Sequence, residues 1–388
     1  MAPRRAPRSV GARPRFVSRP LSIFHCDFRT SWAGGQNQLW LLARGLRERG
    51  HRQWIVTRSG STLGERARDA GFDVLDHPYR GEVDPRGYRS LRHQMARHRP
   101  DVVHTHDAHS LMPAAVAARL VRPRPAVVGH RRVDFPIRGH ALSRWKYARG
   151  PDRLIAISEA VRQVLREAGV PAARISLIPS GIDLETPPPP EGPSLRERMG
   201  APLGAPVVLT IASLADYKDH PTLLDAAARL APRDPMTRWA VCGAGGLLEP
   251  IRREVDRRGL ADRLRYLGFV AGARGFLREA DVFCLSSKTE GLGTSVLDAM
   301  AAGVPVAATA GGGIPEMIED DVTGLLAPVG DGAALAAAVD RLLDDPPLAG
   351  RVATAALDRV RAFDIRHTIE RTEALYGELV AERGYRTR

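Results

Sequence analysis

No run of eighteen or more apolar residues occurs in the chain, so no membrane-spanning helix is expected. The longest uncharged stretch, Ala299–Pro315, is broken by glycine and proline. Cysteine is scarce. Cys26, Cys242 and Cys284 stand far apart, each in or at the end of an apolar run. An odd, scattered set of three gives neither a disulfide framework nor a metal-ligand set, and reads as buried thiols in a reducing compartment. Acid is missing from residues 1–19, which hold six arginines. That composition predicts a disordered basic tail. Its charge could attract anionic headgroups or nucleic acid, or simply aid solubility. No apolar core follows it. Leu21–Phe24 is too short for a signal peptide, so a cytoplasmic chain is expected.

What is present fills two domains. A length of 388 residues exceeds one common domain. A strand at Leu21–His25, a loop at Cys26–Gly35 and a helix from Gln36 to Arg49 open the chain, with Trp54–Thr57 as the next strand. Strand, glycine loop, helix, strand is a parallel-sheet unit. The pair Gly34-Gly35 sets backbone amides near a helix start, where a diphosphate could be received. Asp101–His104 is a short strand, and a helix is expected from about Pro113. His104, His106 and His109 lie at that strand's carboxyl end, the edge at which open α/β sheets bind ligands. A zinc site is one option for such a cluster, although only Asp107 supports it. For His104, inside the strand, core packing is the better reading. The basic run His130–Arg132 follows the strand Ala126–His130 and reads as an acceptor-side lining or as a solvated face.

Pro187–Pro190 breaks every regular pattern. The expected division is a basic tail (1–19), a first Rossmann-like domain (20–183), a proline-rich linker (184–205), a second Rossmann-like domain (206–362) and a closing helical segment (363–388). The second half restarts the rhythm with a strand at Val207–Ala212. A loop follows, and Lys218 stands at its junction with a helix, where a cation could pair with a diphosphate. Gly243–Gly246 half-matches a dinucleotide fingerprint, but the third glycine would fall at Leu248, and NAD binding is rejected.

The most informative stretch is Ser286–Thr309, SSKTEGLGTSVLDAMAAGVPVAAT. An apolar strand, Val282–Leu285, leads into Glu290, then Gly291-Leu292-Gly293, then a helical pattern from about Thr294 bearing Asp298. Such a loop leaves amides unpaired at a helix N-terminus, where a phosphate is well bound. The two carboxylates suit hydroxyls of a sugar or ribose. On spacing alone, an ordinary strand–loop–helix with two solvated acids accounts for it equally well. Gly311–Gly313 and a helical Glu316–Glu319 follow, then a helix capped by Asp331 and a last helix over Ile365–Glu382.

Glu290 and Asp298, with Glu290-Gly291-Leu292-Gly293 and Ala299-Met300-Ala301-Ala302-Gly303-Val304-Pro305-Val306, resemble the signature of the family-four retaining glycosyltransferases of GT-B fold. That pattern is Glu, seven residues, Glu; here Asp298 takes the second place. The loop Ala212–Lys218 is similar to the family's Gly-Arg-Leu-x-x-x-Lys, with Lys218 matching and Ser213 in place of the arginine. A guanidinium's bidentate grip is thereby lost. The resemblance implies two Rossmann-like domains facing a cleft, with the last helix returning to the first. It implies transfer of a sugar from a nucleoside diphosphate donor, bound mainly by the second domain, to an acceptor on the first. Lys218 and amides near Gly291–Thr294 would hold the diphosphate. Glu290 would bond the donor sugar, Asp298 the ribose, and His109, ahead of His106, would orient the reacting groups. Gly34, Gly35, Ser213 and Leu292 complete the expected donor site. Neither metal nor cofactor is expected. The acceptor is expected to be a cell-envelope glycan or lipid-linked saccharide, with peripheral contact at an anionic membrane and no nucleic acid. A sugar-nucleotide epimerase on the same fold, or a non-catalytic basic surface-binding protein, are the rival readings.

Overall fold

A computed structural model of the protein describes residues 17, 19–137, 141–184 and 192–386. Most of the basic tail and all of Pro187–Pro190 lie outside the described residues. The first half builds a sheet from β1 (Ser22–Asp27), β2 (Arg52–Arg58), β3 (Asp73–His77), β4 (Val102–Thr105), β5 (Ala126–Arg131), β6 (Arg153–Ala156) and β7 (Ile175–Leu177). The second half builds another from β8 (Val207–Ile211), β9 (Arg238–Cys242), β10 (Leu264–Gly268), β11 (Val282–Leu285), β12 (Val306–Thr309) and β13 (Leu325–Ala327). The orders are β3-β2-β1-β4-β5-β6-β7 and β10-β9-β8-β11-β12-β13, and neighbouring strands are parallel throughout. Parallel strands covered on both faces need continuous apolar runs. β4, β5, β11 and β12 are buried along their whole length.

In each sheet the order reverses beside the half's first strand, between β1 and β4 and between β8 and β11. The crevice outside the carboxyl ends of such strands is where open sheets bind ligands. The two lobes are joined by a shared apolar cluster that includes Ile157, Val161 and Ile182 on one side and Leu292, Val296 and Met317 on the other.

Local caps move some boundaries. The helix expected from about Pro113 starts at Ala108, because the Asp107 carboxylate accepts from the N–H of His109 at 2.6 Å and of Ser110 at 3.0 Å. The helix expected from Gln36 starts at Gly34, where the Gln36 side chain accepts from the Ala33 N–H at 3.1 Å. The glycine pair thus forms the first turn instead of preceding it. Glu316–Glu319 is not a helix. One 3-10 turn, Ile314–Glu316, ends there because the Glu319 N–H turns to Thr323 Oγ at 2.8 Å. The three thiols are free and buried, and burial pushes each of them up. No helix among the described residues is long and apolar enough to cross a membrane.

The closing helix, Ile365–Arg386, packs on the first lobe. Leu375, Tyr376 and Leu379 join a cluster with Ile23, Leu46, Val128 and Ile155. Its fully buried Glu373 meets Arg49 at 2.7 Å and accepts from His51 Nε2 at 2.9 Å, while His51 Nδ1 accepts from the Leu21 N–H at 3.1 Å. Removing one charge of a buried pair leaves the other uncompensated. Glu373→Gln is expected to cost about 2 kcal/mol, read as a lower urea midpoint. An unchanged midpoint would show that the pair contributes nothing.

Candidate active site

On the second lobe, the chain leaves β8 at Ser213 and makes a 3-10 turn, Asp216–Lys218. Asp219 then takes a left-handed conformation (φ 49°) and starts the helix His220–Leu230. This turn aims Lys218 at the loop after β11, where its ammonium pairs with the buried Glu290. Ser287 Oγ donates to the same carboxylate oxygen at 2.7 Å. The Glu290 carbonyl accepts from the Gly313 N–H at 2.8 Å, which ties the Gly311–Gly313 loop to the site. Gly293, at φ 88°, turns the chain into the helix Thr294–Ala301. Glycine tolerates this angle and brings no side chain to cap the helix start. Unpaired amides therefore collect beside Lys218 and Glu290.

Asp298 lies one turn into that helix, paired with Arg274 at 3.0 Å. Burial pushes its carboxyl up to about 6, with Arg274 pulling the other way. Ser213 is exposed and carries no charge; its hydroxyl lies 3.2 Å from that of Tyr217.

The first lobe presents the ends of β1, β4 and β5. His25, His104, His106 and His130 are all buried. Burial lowers His25 to about 4 and holds the other three well below the ordinary imidazole range. All four are neutral near pH 7. Arg132 supplies the donor that orders them. Its guanidinium lies 3.5 Å from His106 Nδ1, 3.2 Å from His130 Nδ1 and 3.2 Å from Ser180 Oγ. A guanidinium can only donate. His106 therefore carries its proton on Nε2 and donates to His25 Nδ1 at 3.0 Å, and His25 Nε2 donates to Gln53 Oε1 at 2.9 Å. By the same logic Tyr376 donates to His104 Nδ1 at 2.5 Å, and His104 Nε2 donates to His130 Nδ1 at 3.2 Å. Nitrogens of His25, His104 and His106 converge within 4.8 Å, a spacing that could hold a metal ion. Yet both nitrogens of His106 are already engaged in this network, Nε2 with His25 and Nδ1 with the Arg132 cation, so the donor set suits hydrogen bonding better than a metal.

His109 stands elsewhere. It is exposed, with Nδ1 3.3 Å from Glu82 Oε1 and its ring against Tyr79, both on the first lobe. Glu82 also holds Lys146 at 2.7 Å and rims a cavity of about 590 Å³ lined by Val83, Tyr88, Met112, Val116 and Trp145.

The two halves of the site face each other. A Cβ placed on Gly291 would overlap the Arg132 carbonyl, and one on Gly35 would lie 3.6 Å from Arg132 Cδ. Thr289 bonds Asp134, and Phe135 meets Tyr217 edge to face at 5.4 Å. Glu316 reaches across to accept from the first amides of the helix Glu159–Glu167 at 2.8 and 3.0 Å. The structure thus brings Gly35, His106 and Arg132 opposite Lys218, Glu290 and Gly291–Thr294. Sequence reading gives Arg132 only within the basic run His130–Arg132, as an acceptor-side lining or a solvated face, and misses Arg274, His25 and Tyr376 as members of this neighbourhood. The only signal for Arg132 was its position after a strand end.

Comparison with known proteins follows the same division. The profile described as Glycosyltransferase Family 4 matches residues 32–186, and that described as Glycosyl transferases group 1 matches residues 193–359. The chain is similar to the GDP-mannose-dependent alpha-(1-6)-phosphatidylinositol monomannoside mannosyltransferase of Mycolicibacterium smegmatis, at 30% identity over 76% of this chain and 86% of that one. It is also similar to the D-inositol 3-phosphate glycosyltransferase of Geodermatophilus obscurus, at 31% identity over 73% and 62% respectively. Among solved structures, Anabaena HepE in complex with UDP and glucose superposes with a TM-score of 0.80, at 21% identity over 92% of this chain and 100% of that one.

Proposed function

The chain belongs to the Family 4 glycosyltransferases of GT-B fold, and from that premise we propose that it moves a sugar, with retention at the anomeric carbon, from a nucleoside diphosphate donor to a lipid-linked or other saccharide acceptor of the cell envelope. The observation that carries this reading is the meeting of Lys218, Glu290 and the uncapped start of the helix Thr294–Ala301, opposite His106 and Arg132. Lys218 and the amides of Gly291–Thr294 take the diphosphate and stabilise its charge as it leaves, usually the largest single catalytic term. The Lys218–Glu290 pair must loosen as the donor enters, which frees the Glu290 carboxylate for the donor sugar's hydroxyls. Asp298 serves the ribose. His106, rather than the outlying His109, orients the reacting groups.

The charge is carried by side chains and amides, so a chelator is expected to leave the rate unchanged. Two relatives support an acceptor of lipid or inositol phosphate type. The apolar cavity beside Glu82 has room for part of a lipid tail. A net charge of +13 supports docking at an anionic membrane surface.

The test is a panel of UDP-, GDP- and ADP-sugars with lipid-linked acceptors, the product's anomeric configuration being read by NMR. Transfer with retention is expected. Inversion would overturn the stereochemical reading. Product from donor alone would instead mark an epimerase.

Asp298 gives a pH dependence. Its carboxyl sits at about 6, so it is charged above that value and neutral below it. A charged carboxylate accepts both ribose hydroxyls. The donor KM should therefore rise as pH falls through 6, by about fourfold between pH 7.5 and 5.5. Asp298→Asn should remove the pH dependence. The same slope in that variant would assign the titration elsewhere.

A further inference from the structure

We infer that Arg132 is a second cationic contact for the donor's diphosphate, reaching it from the first lobe and supplying the guanidinium that Ser213 does not. This rests on the reading of the site as a nucleoside diphosphate pocket and adds a residue to it.

Position is the first argument. Arg132 directly follows β5, and its carbonyl abuts Gly291 on the diphosphate loop. Its side chain lies along Gly35, in the first turn of the helix Gly34–Glu48. A phosphoryl oxygen between the lobes would meet Lys218 and helix amides on one side, and Arg132 and helix amides on the other.

Charge is the second. Among the described residues no carboxylate lies within ion-pair distance of Arg132. Its hydrogen-bond partners among the described residues are two neutral imidazoles and one hydroxyl, and its buried Nε meets no partner there. Asp27 is the acid whose charge acts on it, but burial and Asp107 push Asp27 up to about 7, and Gln36 already occupies both its oxygens at 3.1 and 2.9 Å. A buried cation without a counterion is costly. An arriving diphosphate supplies one. Arg49, by contrast, has Glu373 beside it.

Preorganisation is the third. His106, His130 and Ser180 accept from the guanidinium without neutralising it, and Tyr376 anchors the chain of rings from the closing helix. Such a cradle fixes direction while leaving the charge for a ligand. Arginine suits this, because its planar fork matches phosphoryl oxygens.

The experiment is calorimetric titration of wild type, Arg132→Ala, Arg132→Gln and the double variant Arg132→Ala/Ser213→Arg. The ligands are UDP, GDP and ADP, each paired with its free nucleoside, with no acceptor present. Arg132→Ala and Arg132→Gln are expected to weaken the preferred nucleoside diphosphate by about tenfold or more and to leave its nucleoside unchanged. Ser213→Arg is expected to recover most of that loss. A purely structural role would weaken both ligands alike, which would overturn the inference. Wild-type diphosphate affinity in both variants would also overturn it. If wild type binds none of the three diphosphates, the pocket itself is misread and the inference falls with it.

Discussion

Lys218→Ala is expected to lower kcat for sugar transfer by about 100- to 1,000-fold. The ammonium stands where negative charge grows as the donor's glycosidic bond breaks, beside amides with no side-chain cap. It acts more strongly on the departing diphosphate than on the bound donor, so kcat should fall more than KM rises. There is one rival explanation. Without Lys218, the buried Glu290 keeps, among the described residues, only Ser287 as a side-chain partner, and a displaced carboxylate could itself slow the reaction. Lys218→Ala/Glu290→Gln separates the two. If the loss came from a stranded carboxylate, the double variant would be as active as Glu290→Gln alone. The present account predicts that the double variant is no faster than Lys218→Ala. A single variant within about threefold of wild type would remove Lys218 from the chemistry.

Gly291→Ala is expected to act through the fit between the lobes. Gly291 does not occupy the left-handed region, so alanine suits its backbone. The added methyl would overlap the Arg132 carbonyl and come within 3.0 Å of Ile157 Cδ1, both on the opposite lobe. Backbone cannot swing aside as a side-chain tip can. The lobes must separate slightly, and a displacement of about 1 Å between reacting groups can cost about 100-fold in rate. Affinity for the free nucleoside, set mainly by the second lobe, should change by no more than about threefold, whereas nucleoside diphosphate affinity should fall as Arg132 is drawn back with the first lobe. Small-angle scattering of the ligand-bound protein should show a larger radius of gyration than wild type. Full activity in this variant would mean that the closeness of Gly291 and Arg132 has no part in the reaction.

The sequence made the second lobe's half of the site legible and the first lobe's half only partly so. Residues 282–309 announce themselves because strand, glycine loop, helix and strand are all local events, punctuated by Gly291, Gly293 and Gly303. Lys218 was visible as a cation at a loop-to-helix junction. Its contact with Glu290 was not, because the β8–β11 adjacency that joins them is tertiary. The same holds for Arg132. Local pattern shows it only as part of a basic run after a strand. The order β1-β4-β5 is what sets it against His106 and, through the rings, Tyr376. The preference for His109 over His106 rests on the family resemblance, which implies a histidine of this segment in the cleft without fixing which one. It could not foresee that Asp107 would start a helix and carry His109 to Glu82. Asp298 was named from its spacing, but its partner Arg274 comes from a 3-10 turn with no periodic signal.

Amide hydrogen exchange, with and without the preferred nucleoside diphosphate, tests most directly whether a diphosphate is held from both lobes. The account predicts slowed exchange in two separate places, at 287–296 on the second lobe and at 34–37 with 131–134 on the first. Protection confined to the second lobe, with the first exchanging as in the free protein, would contradict it.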